Sequence, residues 1–330
     1  MYSNFQGYQV IGIVGNAKNA GKTTVLNSII HHINEPLILT SIGLDGEAID
    51  QVTYLEKPQV YVRVDDIVIS AKDTIKQWTA DYEIIEETNI FTAIGPVILA
   101  KITDPGRVLL AGPSLVKDMK EIVDMIRSRY TFKMFIDGAF SRSSFGMICD
   151  GLIYVVGANR YIDMSQTIQQ ALNDYKKLTI KVIPKHYERM IRDDSLTIIK
   201  KNQILFLSVD SMVGHIDHIF NHIDKSVQAI YFPKAITDEF VDKWAKSYHQ
   251  YTFDIIVKTG IHIQLSAINL KKLLTLSHHL YAIKAIDLVS VCINPYAPQG
   301  YQYDANDFKK HLSSALGINV INVKEGEQNE

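Results

Sequence analysis

The residues best equipped for chemistry sit near the start of the chain. Gly15-Asn16-Ala17-Lys18-Asn19-Ala20-Gly21-Lys22-Thr23-Thr24 sets glycines, two lysines and two hydroxyls side by side. A helix that opens inside such a stretch offers unpaired backbone N–H groups and the positive end of its dipole to an anion. Gly21 would let the backbone approach a phosphate closely. Lys22 would reach β- and γ-phosphates, and the Thr23 hydroxyl would hold Mg²⁺. The chemistry expected here is binding of a nucleoside triphosphate with its magnesium ion.

That chemistry needs a strand before the loop and a helix after it. An apolar run ending in Val14 predicts a strand from about Tyr8, and Val25, Leu26, Ile29 and Ile30 fall at helical spacing, predicting a helix from Lys22 to about Ile33. Pro36 to Ser41 reads as a second buried strand, followed by Asp45 and Glu47. Open α/β sheets place ligands beyond strand ends. Asp45 could therefore position an attacking water or a Mg²⁺-bound water, although Asp45-Gly46 is also ordinary turn chemistry. Phe132 to Ile136 is an apolar strand ending in Asp137-Gly138-Ala139. A carboxylate there can hold Mg²⁺ directly or through water. Arg142, in the polar segment that follows, could face developing phosphate charge or be an ordinary surface residue.

Composition narrows the class. The chain has 330 residues, 47% hydrophobic and 21% charged, with a net charge of −2. This predicts a soluble globular protein of one large or two ordinary domains. No basic block suggests nucleic acid as a partner. No apolar run approaches the roughly 18 residues of a membrane helix, and no signal peptide is expected at the start. Cys149 and Cys292 lie far apart and form no metal-type pair, which fits a reducing, cytoplasmic location.

The organisation expected is α/β throughout: a nucleotide-binding domain over 1–185 and a second, C-terminal α/β domain over 186–330. Within the first, residues 55–112 are strand-rich, with a β-hairpin expected about Asp65-Asp66. That region reads as an antiparallel sheet extension or as a lid beside the nucleotide. Ser114 can cap a helix reaching Arg129. In the C-terminal half, strands expected at 204–208, 229–232, 253–257, 288–293 and 319–323 alternate with helices, which predicts a mostly parallel sheet. His215, His218 and His222 share one helical face, and His278 adjoins His279. Without a Cys or carboxylate cluster nearby, both groups read as solvated polar faces rather than metal ligands. Asn294-Pro295-Tyr296-Ala297-Pro298-Gln299-Gly300-Tyr301-Gln302-Tyr303-Asp304 is a rigid aromatic loop, read equally as a binding surface or a well-packed connection.

The 15–24 loop resembles the deviant Walker A loop of the SIMIBI group of P-loop NTPases, which includes the MinD-like and dethiobiotin-synthetase-like proteins. Asn16 stands where the usual pattern has its first glycine. Lys18 stands four residues before Lys22, where MinD-like ATPases carry a signature lysine. Asp137-Gly138-Ala139 resembles the Glu-Gly-Ala of dethiobiotin synthetase and the cobyric-acid amidases. No guanine-reading [NT]KxD segment follows a late strand, which favours ATP. Together with Leu39 to Glu47, Thr92 to Pro96, Leu109 to Pro113 and Asn294 to Pro298, these stretches resemble the ATPase component of the lysine 5,6-aminomutase reactivase.

The resemblance implies a partner-dependent ATPase, a P-loop hydrolase that helps restore a cobalamin- and pyridoxal-phosphate-dependent lysine 5,6-aminomutase alongside a MutS-like companion reactivase protein. On it, Lys22 and the loop amides bind phosphates, Thr23 and Asp137 hold Mg²⁺, and Asp45 orients water. Lys18 acts in cis, or across a homodimer. Two alternatives stand: a dethiobiotin-synthetase-like ligase or amidase activating a small carboxylate, and a nucleotide-switched binding module without turnover.

Overall fold

The computed structural model describes residues 2–42, 59–138, 148–208 and 214–325. It is a mixed α/β structure in two compact units. One comprises Met1–Ala171 with Leu288–Glu330, and the other Leu172–Asp287. The boundary expected near residue 185 therefore falls earlier. The C-terminal segment, expected in the second domain, belongs with the first. The reason is sheet completion: the apolar strand Asp287–Asn294 lies beside Gly151–Gly157 in the first unit's sheet, with Ile321–Asn322 on its outer side.

That sheet has nine strands, in the order Ile321–Asn322, Asp287–Asn294, Gly151–Gly157, Val10–Gly15, Lys133–Asp137, Leu37–Ser41, Ile67–Ala71, Gly95–Asp104 and Asp81–Thr92. Val10–Gly15 pairs in parallel with Gly151–Gly157 on one side and Lys133–Asp137 on the other, and every one of its residues is buried. Strands covered on both faces need continuous apolar runs, as these have. Asp150 anchors the start of the central strand: one carboxylate oxygen accepts from the Gln9 and Val10 N–H groups at 3.1 and 2.8 Å, and the other takes Arg127 at 2.5 Å.

The far edge turns antiparallel. Gly95–Asp104 pairs with both Ile67–Ala71 and Asp81–Thr92. The strand-rich region is thus a sheet extension, as one of its two readings held. The hairpin expected about Asp65-Asp66 does not form. Val60–Val62 pairs instead with Gly106–Val108, while Ile67–Ala71 joins Leu37–Ser41 in parallel. Asp66 explains the split. It is fully buried, and its carboxylate takes the Leu37 and Arg63 N–H groups, each at 2.9 Å, and the Arg63 guanidinium at 3.2 Å. A dipeptide so engaged cannot serve as an exposed turn. The helix Val116–Arg129 begins after Leu115 without a side-chain cap, so Ser114 does not cap it.

The second unit has a six-stranded sheet, in the order Lys181–Val182, Leu280–Ala282, Asp254–Val257, Val227–Phe232, Leu196–Lys200 and Ile204–Leu207. Its middle pairs are parallel, and the hairpin Leu196–Lys200 with Ile204–Leu207 closes one edge antiparallel. Leu280–Ala282 falls inside the segment expected to continue the preceding helix, which ends at Leu276. The core is aromatic. Trp244 stacks on Phe253 with ring centroids 4.3 Å apart, and its indole N–H donates to the Tyr251 carbonyl at 2.9 Å. Among the described residues, no helix is long and apolar enough to cross a membrane.

Candidate functional site

The 15–24 loop leaves the carboxyl end of the most central strand of the large sheet. It turns twice through the left-handed region, at Asn19 (φ 59°) and Gly21 (φ 100°), and enters the helix Lys22–His32. The first is affordable because Asn is among the few residues that tolerate this conformation. Gly21 precedes the helix with no side-chain cap, and Val25 N–H is the first to bond back, to the Gly21 carbonyl at 3.1 Å. The N–H groups before it belong to the helix's uncapped first turn. Val25, Leu26, Ile29 and Ile30 bury the helix against the sheet, so that first turn is held at the strand edge.

The loop is braced from three directions. Asn16 is buried, and its side chain pairs with the Gly157 backbone: Oδ1 accepts from the N–H at 3.0 Å and Nδ2 donates to the carbonyl at 3.2 Å. Gln170 Nε2 donates to the Asn16 carbonyl at 3.0 Å, and Asn159 Nδ2 donates to the Lys18 carbonyl. Ala20 is wedged in place: a Cβ on Gly15 would lie 2.8 Å from Ala20 Cβ, and one on Gly157 would lie 2.6 Å from Ala20 Cα. On the third side stands Asn294. A Cβ on Gly21 would meet its Nδ2 at 2.6 Å. Ala17 and Thr24 are partly exposed, and Lys18 is exposed at the surface of the loop.

Asp137 ends the neighbouring strand on the same edge, in register with Ile13 on one side and Ser41 on the other. Its backbone is pinned as well: the Gly138 N–H donates to Ile13 at 3.0 Å, and the Ile42 N–H to Asp137 itself at 2.8 Å. The Thr23 hydroxyl donates to the Asp137 carboxyl, and the Lys22 ammonium acts on it electrostatically. Yet Asp137 Oδ1 is buried with no hydrogen-bond partner among the described residues. Burial pushes the carboxyl above the usual carboxylate range, while Lys22 and Thr23 pull it down. A buried acceptor without a partner costs about 1–3 kcal/mol. A divalent cation beside Thr23 and Asp137 would satisfy that oxygen, and a hydroxyl with a carboxylate is a suitable hard donor set for Mg²⁺.

The structure thus brings Lys22, Thr23 and Asp137 together at one strand edge. Asp45, with Gly46 and Glu47, and Arg142 lie outside the described residues. Sequence reasoning missed Asn159, Gln170 and the contact of Asn294 with Gly21. Each is a lone amide in its own segment, and the one available signal was that Asn159 and Asn294 directly follow buried strands.

The aromatic 294–304 loop is a packed connection. The Tyr301 hydroxyl lies 2.5 Å from the Ala158 carbonyl and 2.8 Å from that of Tyr161. The Tyr303 hydroxyl donates to Tyr161 and meets the Thr167 hydroxyl at 2.9 Å. Only Tyr296 of the three tyrosines is exposed. The loop clasps residues 158–161, which carry Asn159.

His218 and His222 lie ring to ring at 5.1 Å, but the helix there spans only Ile216–Phe220, so His222 falls beyond it and His215 precedes it. Among the described residues no group of three or more His, Cys, Asp or Glu side chains is placed to hold a metal. Comparison with protein-family models, with curated proteins and with solved structures finds no match.

Proposed function

We propose that the chain is a Mg-ATP-binding P-loop ATPase that works as a partner-dependent reactivation factor, its partners being a lysine 5,6-aminomutase and a MutS-like companion protein. The observation that carries the nucleotide half of this reading is the buried, unpartnered Asp137 Oδ1 beside Thr23 and Lys22, at the uncapped start of a helix. The partner half rests on the sequence resemblance alone.

On this reading the amides of the loop and first helical turn bind phosphate oxygens, and Lys22 adds a cation. Thr23 and Asp137 hold Mg²⁺, which when bound supplies charge neutralisation on the phosphates. The bracing by Asn16, Asn159 and Gln170 fixes the loop before ligand arrives, and catalysis by positioning and electrostatics depends on such preorganisation. Lys18, exposed, is placed to meet phosphate in cis or in a homodimer partner's site.

The test is ATP hydrolysis by the purified chain, alone and with inactivated lysine 5,6-aminomutase plus the companion protein. Stimulated hydrolysis with recovered mutase activity is expected. Hydrolysis indifferent to the mutase but stimulated by a small carboxylate would replace the partner half with the ligase or amidase reading. Tight nucleotide binding without turnover under any condition would leave a switch module, and no ATP binding would remove the whole proposal.

A further inference from the structure

The second unit carries a polar pocket that the nucleotide reading does not use. It opens beside the amino-terminal ends of three adjacent parallel strands, Val227–Phe232, Asp254–Val257 and Leu280–Ala282, and encloses about 570 Å³. That lies within the size range of small-molecule sites. Its walls include Lys201, Asp224, Lys225, Asp254, His278 and His279.

The two carboxylates are already engaged. Asp254 accepts from the Tyr187 hydroxyl on Oδ2 and from His279 Nδ1 on Oδ1, each at 2.9 Å. Asp224 accepts from Lys200 at 2.7 Å on Oδ2 and from the Ser226 N–H at 2.7 Å on Oδ1. Their negative charge is therefore directed into the protein's own donors. The remaining groups are of the opposite kind. Lys201 and Lys225 are exposed and have no ion-pair partner among the described residues. With Nδ1 committed to Asp254, His279 keeps Nε2 open, as an acceptor when neutral and a donor when protonated.

The mounting is rigid. The His278 N–H donates to the Phe253 carbonyl at 3.1 Å, and the Ile255 N–H to the His279 carbonyl at 2.9 Å, so both histidines are tied to the sheet. His278 Nε2 is further held at 2.9 Å by the Thr252 hydroxyl. Two cations and an oriented imidazole on a fixed frame form a cradle for negative charge. We infer that this pocket binds a small polyvalent anion, a metabolite bearing phosphate or carboxylate groups.

The test uses the full-length chain carrying Lys22→Ala, so that the 15–24 loop does not compete for the probe. The ring signals of His278 and His279, assigned with His278→Gln and His279→Gln, are followed by NMR. Inorganic phosphate and citrate are titrated separately, with ionic strength held constant by chloride. Saturable displacement of the His279 signal is expected. In Lys201→Gln/Lys225→Gln it should weaken by at least about tenfold, since hydrogen bonds to charged groups carry about that much. A response to phosphate alone identifies a phosphate ligand, to citrate alone a polycarboxylate, and either supports the site. A drift that does not saturate, or saturation unchanged in the double-glutamine variant, overturns it.

Discussion

Asn16 and Gly157 are joined through a complete amide pair. One side chain satisfies both the N–H and the carbonyl of a residue on the adjacent strand, at 3.0 and 3.2 Å. This accounts for the departure from the usual glycine at that position. A glycine would free the backbone but leave two buried polar groups of Gly157 without partners.

Asn16→Ala should therefore destabilise the first unit by about 2–4 kcal/mol, from two lost hydrogen bonds and the desolvation they leave behind. Urea unfolding measures it. Asn16→Gly, though closer to the common pattern, should be no more stable than the alanine variant. A glycine variant as stable as the parent would show that the amide pair contributes nothing.

Gly21 and Asn294 make a second, steric pair. At φ 100° an alanine is strained, and its Cβ would press on Asn294 Nδ2 at 2.6 Å. Gly21→Ala should lower ATP affinity by tenfold or more in a folded protein. Adding Asn294→Ala removes the clash but not the torsional strain, which is of order 1 kcal/mol, so affinity should recover in part. Isothermal titration of both variants separates the two contributions, and complete recovery would mean that the backbone conformation at 21 is unimportant.

Asp137 sets a pH dependence. Its folded pKa is raised, chiefly by burial, so the folded state holds the proton to higher pH than the unfolded chain does. Stability from this group is therefore fully present below the ordinary carboxylate range. It is lost as pH climbs through the folded pKa, leaving the ionised carboxyl a net cost at neutral pH. Asp137→Asn should raise the melting temperature at neutral pH and flatten that part of the pH profile. The same substitution should abolish the Mg²⁺ dependence of nucleotide binding. Melting curves across pH, with and without Mg-ATP, check both outcomes, and a variant that loses stability at neutral pH would contradict the assignment.

Lys22→Ala tests the anion site from the other side. The variant should fold, since Lys22 is only partly buried at a helix start, and should lose Mg-ATP affinity by more than tenfold. It also removes the cation that holds the Asp137 carboxyl down, so the pH at which Asp137 ionises should move higher still. Unchanged ATP affinity in the folded variant would end the loop assignment.

What the sequence determined by itself is local. The strand Val10–Gly15, the helix Lys22–His32 and the strand ending in Asp137 follow from apolar periodicity and glycine placement, which neighbours in the chain suffice to express. The tertiary structure decided the long-range pairings. No periodicity announces that Asp287–Asn294 completes the first sheet, because a buried parallel strand reads the same whichever sheet it joins. Nor does it announce that Asp66 is buried by Leu37 and Arg63 instead of turning a hairpin, because its partners lie on another segment. The bracing amides follow the same logic. Asn159, Gln170 and Asn294 reach the 15–24 loop from positions more than a hundred residues away, and a single hydrogen bond or contact at that separation leaves no pattern in the chain.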